Sequence, residues 1–298
     1  MENRTEVRDF LKSRRDKVTP EEMGLPVYGT RRVSGLRRNE VAMLAGVSVE
    51  YYTRLERGNL QGVSDSVLDS IARALLLDET ERNHLFDLAR AANASPARLQ
   101  RRATKVTERP AVRPSVQRII EKMPTLPAFV QNNRFDILFA NTLGRALYSE
   151  MYADTACGAN TARFVFLSPV ARRFYLDWER VARGAVGALR VEAGRNPYDR
   201  ELSNLIGELS TRSDSFRVMW GANDVHVFRE GIKRFHHPAV GELDLEHESM
   251  QLSGDSALSV TVYSAPPGSA AEDGLSLLAT WSATAEGAPA DDQANQTR

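Results

Sequence analysis

The chain has 298 residues, 39 basic against 39 acidic side chains, a single cysteine and 42% hydrophobic residues. One cysteine, Cys157, excludes an intramolecular disulfide framework and any multi-cysteine zinc or iron–sulfur site. No apolar run approaches the ~18–20 residues of a membrane helix, and Met1 to Glu6 lacks the basic-then-apolar pattern of a secretory leader, so the expectation is a cytoplasmic, globular protein of two domains with no membrane contact.

The net charge of zero is a cancellation. Up to Arg118 there are 22 Lys+Arg against 16 Asp+Glu, and from Ile119 onward 17 against 23. Such asymmetry points to an interaction surface on the basic side. Arginine outnumbers lysine 34 to 5, which suits bidentate contact with phosphate and base edges and equally fits a bias in genomic base composition.

In chain order, Glu6 to Arg15 carries Val7, Phe10 and Leu11 at helical spacing and predicts a first helix. Pro20, Gly24, Pro26, Gly29 and Gly35 then break regular structure. Arg38 to Ala45 predicts a short helix with Val41, Ala42 and Leu44 inward. Gly46 supplies a turn that needs positive φ, and Ser48 stands where an N-cap belongs. The helix that follows, Val49 to Arg57, buries Tyr52 and Leu55 and stops at Gly58. Ala42-x3-Gly46-Val47-Ser48-x3-Tyr52-x2-Leu55-Glu56-x-Gly58 is a helix-turn-helix spacing, with the small Ala42 letting the helices cross closely. Glu56 reads as a residue bonding back to the bundle. Two more helices follow, Ser66 to Leu77 and one opening on the capping box of Asp78-Glu79-Thr80-Glu81 and running to Ala92. Residues 1–92 thus predict an all-α, five-helix headpiece.

The stretch Leu36 to Gly58 resembles the XRE (Cro/repressor-like) helix-turn-helix family, over roughly residues 6–92. That resemblance makes the segment after Ser48 the recognition helix and implies that Ser48, Val49, Glu50, Thr53 and Arg54 face DNA. Arg54 would fork onto guanine, Glu50 accept from cytosine, and Val49 or the Thr53 methyl touch thymine. Arg38 is placed for a phosphate, and Arg31, Arg32 and Arg37 lie in the loop before it. The competing reading of these charges is a solvated helical face.

Residues 93–118 read as a basic linker containing Pro96, Pro110 and Pro114, with helical character around 97–103, and 283–298 as a disordered tail. Between them lies an α+β pattern. Ala128–Val130 and Phe135–Ala140 predict a hairpin, Asn141 caps a short helix from Thr142, and residues 167–193 and 199–222 read as amphipathic helices. Three strands follow over Val225–Phe235, Glu242–Leu252 and Leu258–Ala265. Two strands, helices and three strands predict a PAS-like fold with a five-stranded antiparallel sheet over residues 119–282.

This half resembles the ligand-binding domain of MmyB-like transcription regulators. The resemblance is carried by Pro127-Ala128, Asn141, Phe164-x-Phe166-x2-Pro169, Tyr175-x-Asp177-Trp178, Leu189-Arg190-x3-Gly194, Ser213-x2-Phe216-x3-Trp220 and His237-Pro238-x-Val240-Gly241-Glu242-Leu243. It implies an apolar cavity able to hold a fatty-acid-like molecule, and no other cofactor. Phe164, Phe166, Tyr175, Trp178, Phe216 and Trp220 are therefore either pocket lining or plain core. Arg190 and His237 are headgroup contacts, or an ion pair and a capped strand end.

The expectation is a non-enzymatic, one-component regulator that binds double-stranded operator DNA as a homodimer and senses a small apolar ligand. Two alternatives stay open. The C-terminal half is a protein-interaction or dimerisation module with a filled core, or a metal enzyme using His226, His236, His237 and His247. No G-x-S-x-G, Walker A, G-x-G-x-x-G or H-E-x-x-H motif is present.

Overall fold

A computed structural model describes residues 2–26, 31, 33–94, 111–223, 225 and 230–286. The chain divides into two compact units, Met1–Arg109 with Arg183–Val227, and Pro110–Ala182 with Phe228–Arg298. The expected architecture is present: an N-terminal helical region followed by an α+β region with a five-stranded antiparallel sheet.

The first unit begins with α1 (Glu2–Lys17), α2 (Arg38–Leu44), α3 (Val49–Glu56), α4 (Asp65–Ala74) and α5 (Glu79–Asn93). The starts of α3, α4 and α5 are set by side chains that accept the free amides of a first turn. Ser48 accepts from Tyr51 N–H at 3.1 Å, Ser64 from Val67 N–H at 3.4 Å, and Asp78 from Glu81 N–H at 2.8 Å while Glu81 accepts from Asp78 N–H. Gly46 makes the turn between α2 and α3 at φ +66. The core is Val7, Phe10, Leu11, Leu36, Val41, Tyr52, Leu55, Ile71, Leu85 and Leu88, and it also takes in Val225, with Val191 packed against it.

Val191 lies in α11 (Trp178–Arg195), which with α12 (Arg200–Arg212) and α13 (Asp214–Gly221) follows the first hairpin of the second half. The boundary between the units falls inside α11, after Ala182. The headpiece helices therefore share their compact unit with a segment that the sequence placed in the C-terminal domain.

The second unit opens with α6 (Pro114–Glu121), β1 (Ala128–Asn132), β2 (Ile137–Ala140), α7 (Thr142–Leu147), α8 (Ser149–Ala153), α9 (Thr161–Leu167) and α10 (Ala171–Phe174). It closes with β3 (Glu230–His237), β4 (Gly241–Leu252), β5 (Asp255–Ser264) and α14 (Ala270–Glu286). The sheet order is β2-β1-β5-β4-β3, every neighbouring pair antiparallel. Alternation along the strands gives the sheet two faces. Ala128, Val130, Leu258 and Val260 meet Val116 and Ile120 of α6 on one. Phe129, Phe235, Leu243, Leu245 and Tyr263 are buried on the other.

Asn141 ties the hairpin to its surroundings. Its Oδ1 accepts from Gly144 and Ala128 N–H at 2.8 and 3.0 Å, and its Nδ2 donates to the Met123 and Leu126 carbonyls at 2.9 and 2.8 Å.

Several elements differ from expectation. The helix expected over 167–193 is two, α10 and α11, after α9 ends at Leu167: Pro169 cannot continue an α-helical hydrogen-bond ladder, and Tyr175 turns extended to bridge Phe235. The one expected over 199–222 breaks at Ser213, whose hydroxyl caps α13. β2 begins at Ile137, since Phe135 takes a turn conformation at φ +67. β3 begins at Glu230, and residues 226–229 lie outside the described residues. α14 was not anticipated at all. Its sequence is diluted by Gly, Ser and Thr, and its place depends on Gly274, where a Cβ would stand 2.4 Å from Leu243 Cδ2. α14 continues to Glu286, into the segment read as a tail, and residues 287–298, like 95–110, lie outside the described residues.

Candidate nucleic-acid interface and sensor core

The helix-turn-helix presents one face of α3 to solvent and buries the other. Tyr52, Leu55 and Glu56 are buried, while Ser48, Val49, Glu50, Arg54 and Arg57 are exposed and Thr53 is half-buried. An open groove along this face is lined by Arg4, Val49, Glu50, Thr53, Arg54, Arg57 and Asn59. Four of the five residues assigned to the recognition helix thus line one groove, and Ser48 caps it. Arg54 lies with its guanidinium over the Tyr51 ring, 4.7 Å from the centroid, a contact that orients the side chain without occupying its donors.

Arg4 and Arg57 were not singled out in the sequence. Arg57 stands directly after α3, where the C-terminal side of the motif gave no cue. Arg4 reaches the groove from α1 through a tertiary contact: its carbonyl approaches Gly58 so closely that a Cβ there would sit 2.2 Å away. Gly58, at φ +91, is therefore needed both to end α3 and to admit the first turn of α1.

Of the arginines before α3, Arg31 and Arg38 are engaged within the fold. Arg31 holds Glu40 with two parallel hydrogen bonds of 2.8 Å and donates to the Gly35 carbonyl at 2.9 Å. The Arg31 guanidinium, helped by the Arg37 N–H at 2.6 Å, lowers the Glu40 carboxyl to about 2. Arg38 is ion-paired with Glu56 and keeps half of its side chain in solvent. Glu56 also accepts from Arg15 Nε at 2.5 Å and lies 3.5 Å from the Tyr52 hydroxyl, so it is the hub expected of a residue bonding back to the bundle. Arg37 is exposed, and Arg32 lies outside the described residues.

The candidate ligand residues fall in both units. In the second, Phe164 and Tyr175 join Phe129, Tyr148, Phe174, Phe235 and Tyr263 in a buried aromatic cluster, with Phe164–Phe174 and Phe174–Phe235 centroids 5.3 and 5.4 Å apart and edge-to-face. Phe166 meets Trp178 edge-to-face at 6.1 Å, and Trp178 Nε1 donates to the Val165 carbonyl at 2.9 Å.

Polar atoms inside this cluster are few. The Tyr148 and Tyr263 hydroxyls are 2.7 Å apart, and Lys233 Nζ lies 3.2 Å from the Tyr263 oxygen. Burial lowers the Lys233 ammonium to about 8 and raises Tyr148 to about 12. Lys233 went unnoticed in the sequence because nothing in an alternating strand marks a lysine on the inward face. His237 uses both ring nitrogens locally, donating from Nε2 to the Ala146 carbonyl at 3.0 Å and accepting the Ala239 N–H at Nδ1.

Arg190, Phe216 and Trp220 belong to the first unit. Phe216 stacks on Trp220 at 5.6 Å, and the Arg190 guanidinium lies over the Trp220 ring at 4.2 Å.

The histidine cluster does not assemble among the described residues, where no three His, Cys, Asp or Glu side chains come together as a metal site. His236 and His237 are adjacent in β3 and so point to opposite faces, and His247 Nδ1 contacts the Gly231 carbonyl at 2.6 Å. His226 lies outside the described residues. Cys157 is buried. No described helix is long and apolar enough to cross a membrane.

A helix-turn-helix domain model matches residues 6–85, and the model of the MmyB-like transcription regulator ligand binding domain matches residues 112–278. Comparison with curated proteins found no match. With the helix-turn-helix at its N-terminus and more than half of its length under the second model, the chain belongs to the MmyB-like transcription regulators, a helix-turn-helix headpiece joined to a ligand-binding domain.

Proposed function

We propose that this chain is a one-component, cytoplasmic transcription regulator that reads operator DNA with α3 and responds to a small apolar ligand in its C-terminal domain. The observation that carries the DNA reading is the groove along α3. It joins three arginines, Arg4, Arg54 and Arg57, to the shorter side chains Val49, Glu50 and Thr53. Arginines supply phosphate and guanine contacts, while the smaller groups discriminate between bases. Arg38 and Arg37 flank it as phosphate contacts, and Arg31 acts indirectly by ordering the loop through Glu40. One helix-turn-helix reads only a few base pairs, so the operator is a two-fold site and the working form a homodimer. The test is selection of bound duplexes by the full chain from a randomised pool. A recovered two-fold motif is expected, and recovery of unselected sequence would overturn the reading.

The sensor reading is supported by the aromatic cluster around Phe164 and Tyr175, flanked by Phe166, Trp178 and His237, in which few polar groups could fix a ligand's orientation. A fatty-acid-like molecule fits that chemistry. Denaturing the purified chain and analysing released small molecules by mass spectrometry tests it. A chain that releases nothing and gains no thermal stability from long-chain fatty acids would favour a filled core serving protein interaction.

A further inference from the structure

Arg190 is the largest fully buried side chain of the described residues, 1% exposed. Its Nη1 donates to Glu6 of α1 at 2.5 Å and to Asn223 Oδ1 at 2.6 Å, its Nη2 donates to the Trp220 carbonyl, and its face lies on the Trp220 ring. Asn223, just beyond α13, is held from the other side as well, because Arg14 of α1 donates to its carbonyl at 2.5 Å and to Glu81 of α5 at the same distance. Further along α11, Gly194 lies against the buried His84 ring, where a Cβ would come within 2.8 Å of Cε1, and Arg195 donates to Asp87 at 2.7 Å. Glu6 is also 3.8 Å from His84 Nε2. Burial alone would raise the Glu6 carboxyl, but His84 and Arg190 outweigh it and hold it below its ordinary value.

Glu6 stands two residues from Arg4, in the turn of α1 that packs against Gly58 at the end of α3. An ion pair with one partner fully buried and fixed by several further hydrogen bonds holds its elements in one register, and removing Glu6 would strand the buried Arg190 charge. We propose that α11–α13 form a built-in brace of the DNA-reading unit, and that Arg190 is a positioning residue which, through Glu6, holds the first turn of α1 and therefore Arg4 at the groove beside α3. The proposal rests on the groove being the DNA-facing surface. It also gives Arg190, Gly194 and Trp220 a role in the headpiece.

The test uses the full chain and a fluorescein-labelled duplex of about 30 base pairs of random sequence, titrated at several salt concentrations. Arg190→Gln is expected to lower affinity about fivefold and to reduce the slope of log K against log salt by about one phosphate contact, as Arg4→Ala is expected to do. The Arg4→Ala/Arg190→Gln pair should be no worse than either alone, since both remove the same contact. Arg190→Lys should recover much of the loss. An unchanged salt slope, or additive effects, would overturn the positioning role. Hydrogen exchange at residues 3–8 gives a second arm that needs no DNA and is expected to be about tenfold faster in Arg190→Gln. Unchanged exchange there would overturn the brace. If the native chain does not bind the duplex at all, the DNA reading fails while the exchange arm still decides the brace. Should Arg190→Gln fail to fold, Glu6→Gln, which keeps the shape and one acceptor, carries the same measurements.

Discussion

Glu56, at the end of α3, accepts a hydrogen bond from Arg15 Nε of α1 at 2.5 Å, with both side chains more than nine-tenths buried. Arg38 of α2 shares the same carboxylate, so one side chain binds three helices of the headpiece. Glu56→Ala would leave the buried Arg15 guanidinium only the exposed Asp16 carboxylate, 3.0 Å from its Nη1, as counter-charge, and a loss of ~3 kcal/mol is expected. Chemical denaturation of the full chain measures it. A loss below ~1 kcal/mol would show that the network does not hold the bundle.

Arg54→Ala should relax base preference at one operator position, at a cost of ~1–3 kcal/mol. Arg57→Ala should weaken all sequences alike and lower the salt slope by about one. Arg31→Ala should act mainly through stability, because both of its Nη groups are spent on Glu40 and Gly35. Selection from a randomised pool with each variant separates the three, and an unaltered motif for Arg54→Ala would remove α3 from base reading.

Acid should loosen the entry to α2. The Glu40 carboxyl is held at about 2 against an ordinary value of 4.5, chiefly by Arg31. A folded-state value below the unfolded one means that its stabilisation is complete above about pH 4.5 and is lost as pH falls towards 2. Thermal midpoints of the native chain and Glu40→Gln should therefore differ most near neutrality and converge in acid. Parallel curves would contradict the assignment.

Lys233 runs in the opposite sense. Burial lowers its ammonium from 10.5 to about 8, so at pH 7 the folded chain carries a desolvated charge. Between these values the unfolded chain binds more protons, and stability from this group rises with pH. Lys233→Met is expected to raise stability at pH 7 by ~1–2 kcal/mol, with the gain shrinking towards pH 10. Calorimetry across that range tests it, and a lower melting temperature at pH 7 would mean that the bond to Tyr263 outweighs desolvation.

Where the physical cause is local, the sequence was a good guide. Ser48, Asp78 and Asn141 cap helices because a short side chain reaches amides a few residues ahead, which spacing alone reveals. Gly46 and Gly58 mark positive φ, and the alternation in β4 marks its two faces. The face of α3 carrying Val49, Glu50, Thr53 and Arg54 follows from helical period. Local pattern misled where breaks were subtle, as at Ser213, or where a helix owed its place to a distant surface, as α14 owes its close approach at Gly274 to Leu243.

The opening balance of 39 basic and 39 acidic residues separates, by sequence alone, into a basic DNA-binding end and an acidic remainder. Tertiary structure decided which of those charges face solvent. Arg190 and Glu6 are 184 residues apart and pair with the guanidinium buried and the carboxylate part-buried, while Arg4 reaches the α3 groove through a glycine 54 positions away. A charged side chain carries no local mark of its partner. Its role is set by what folding brings within a few ångströms, where loss of water makes each pairing count.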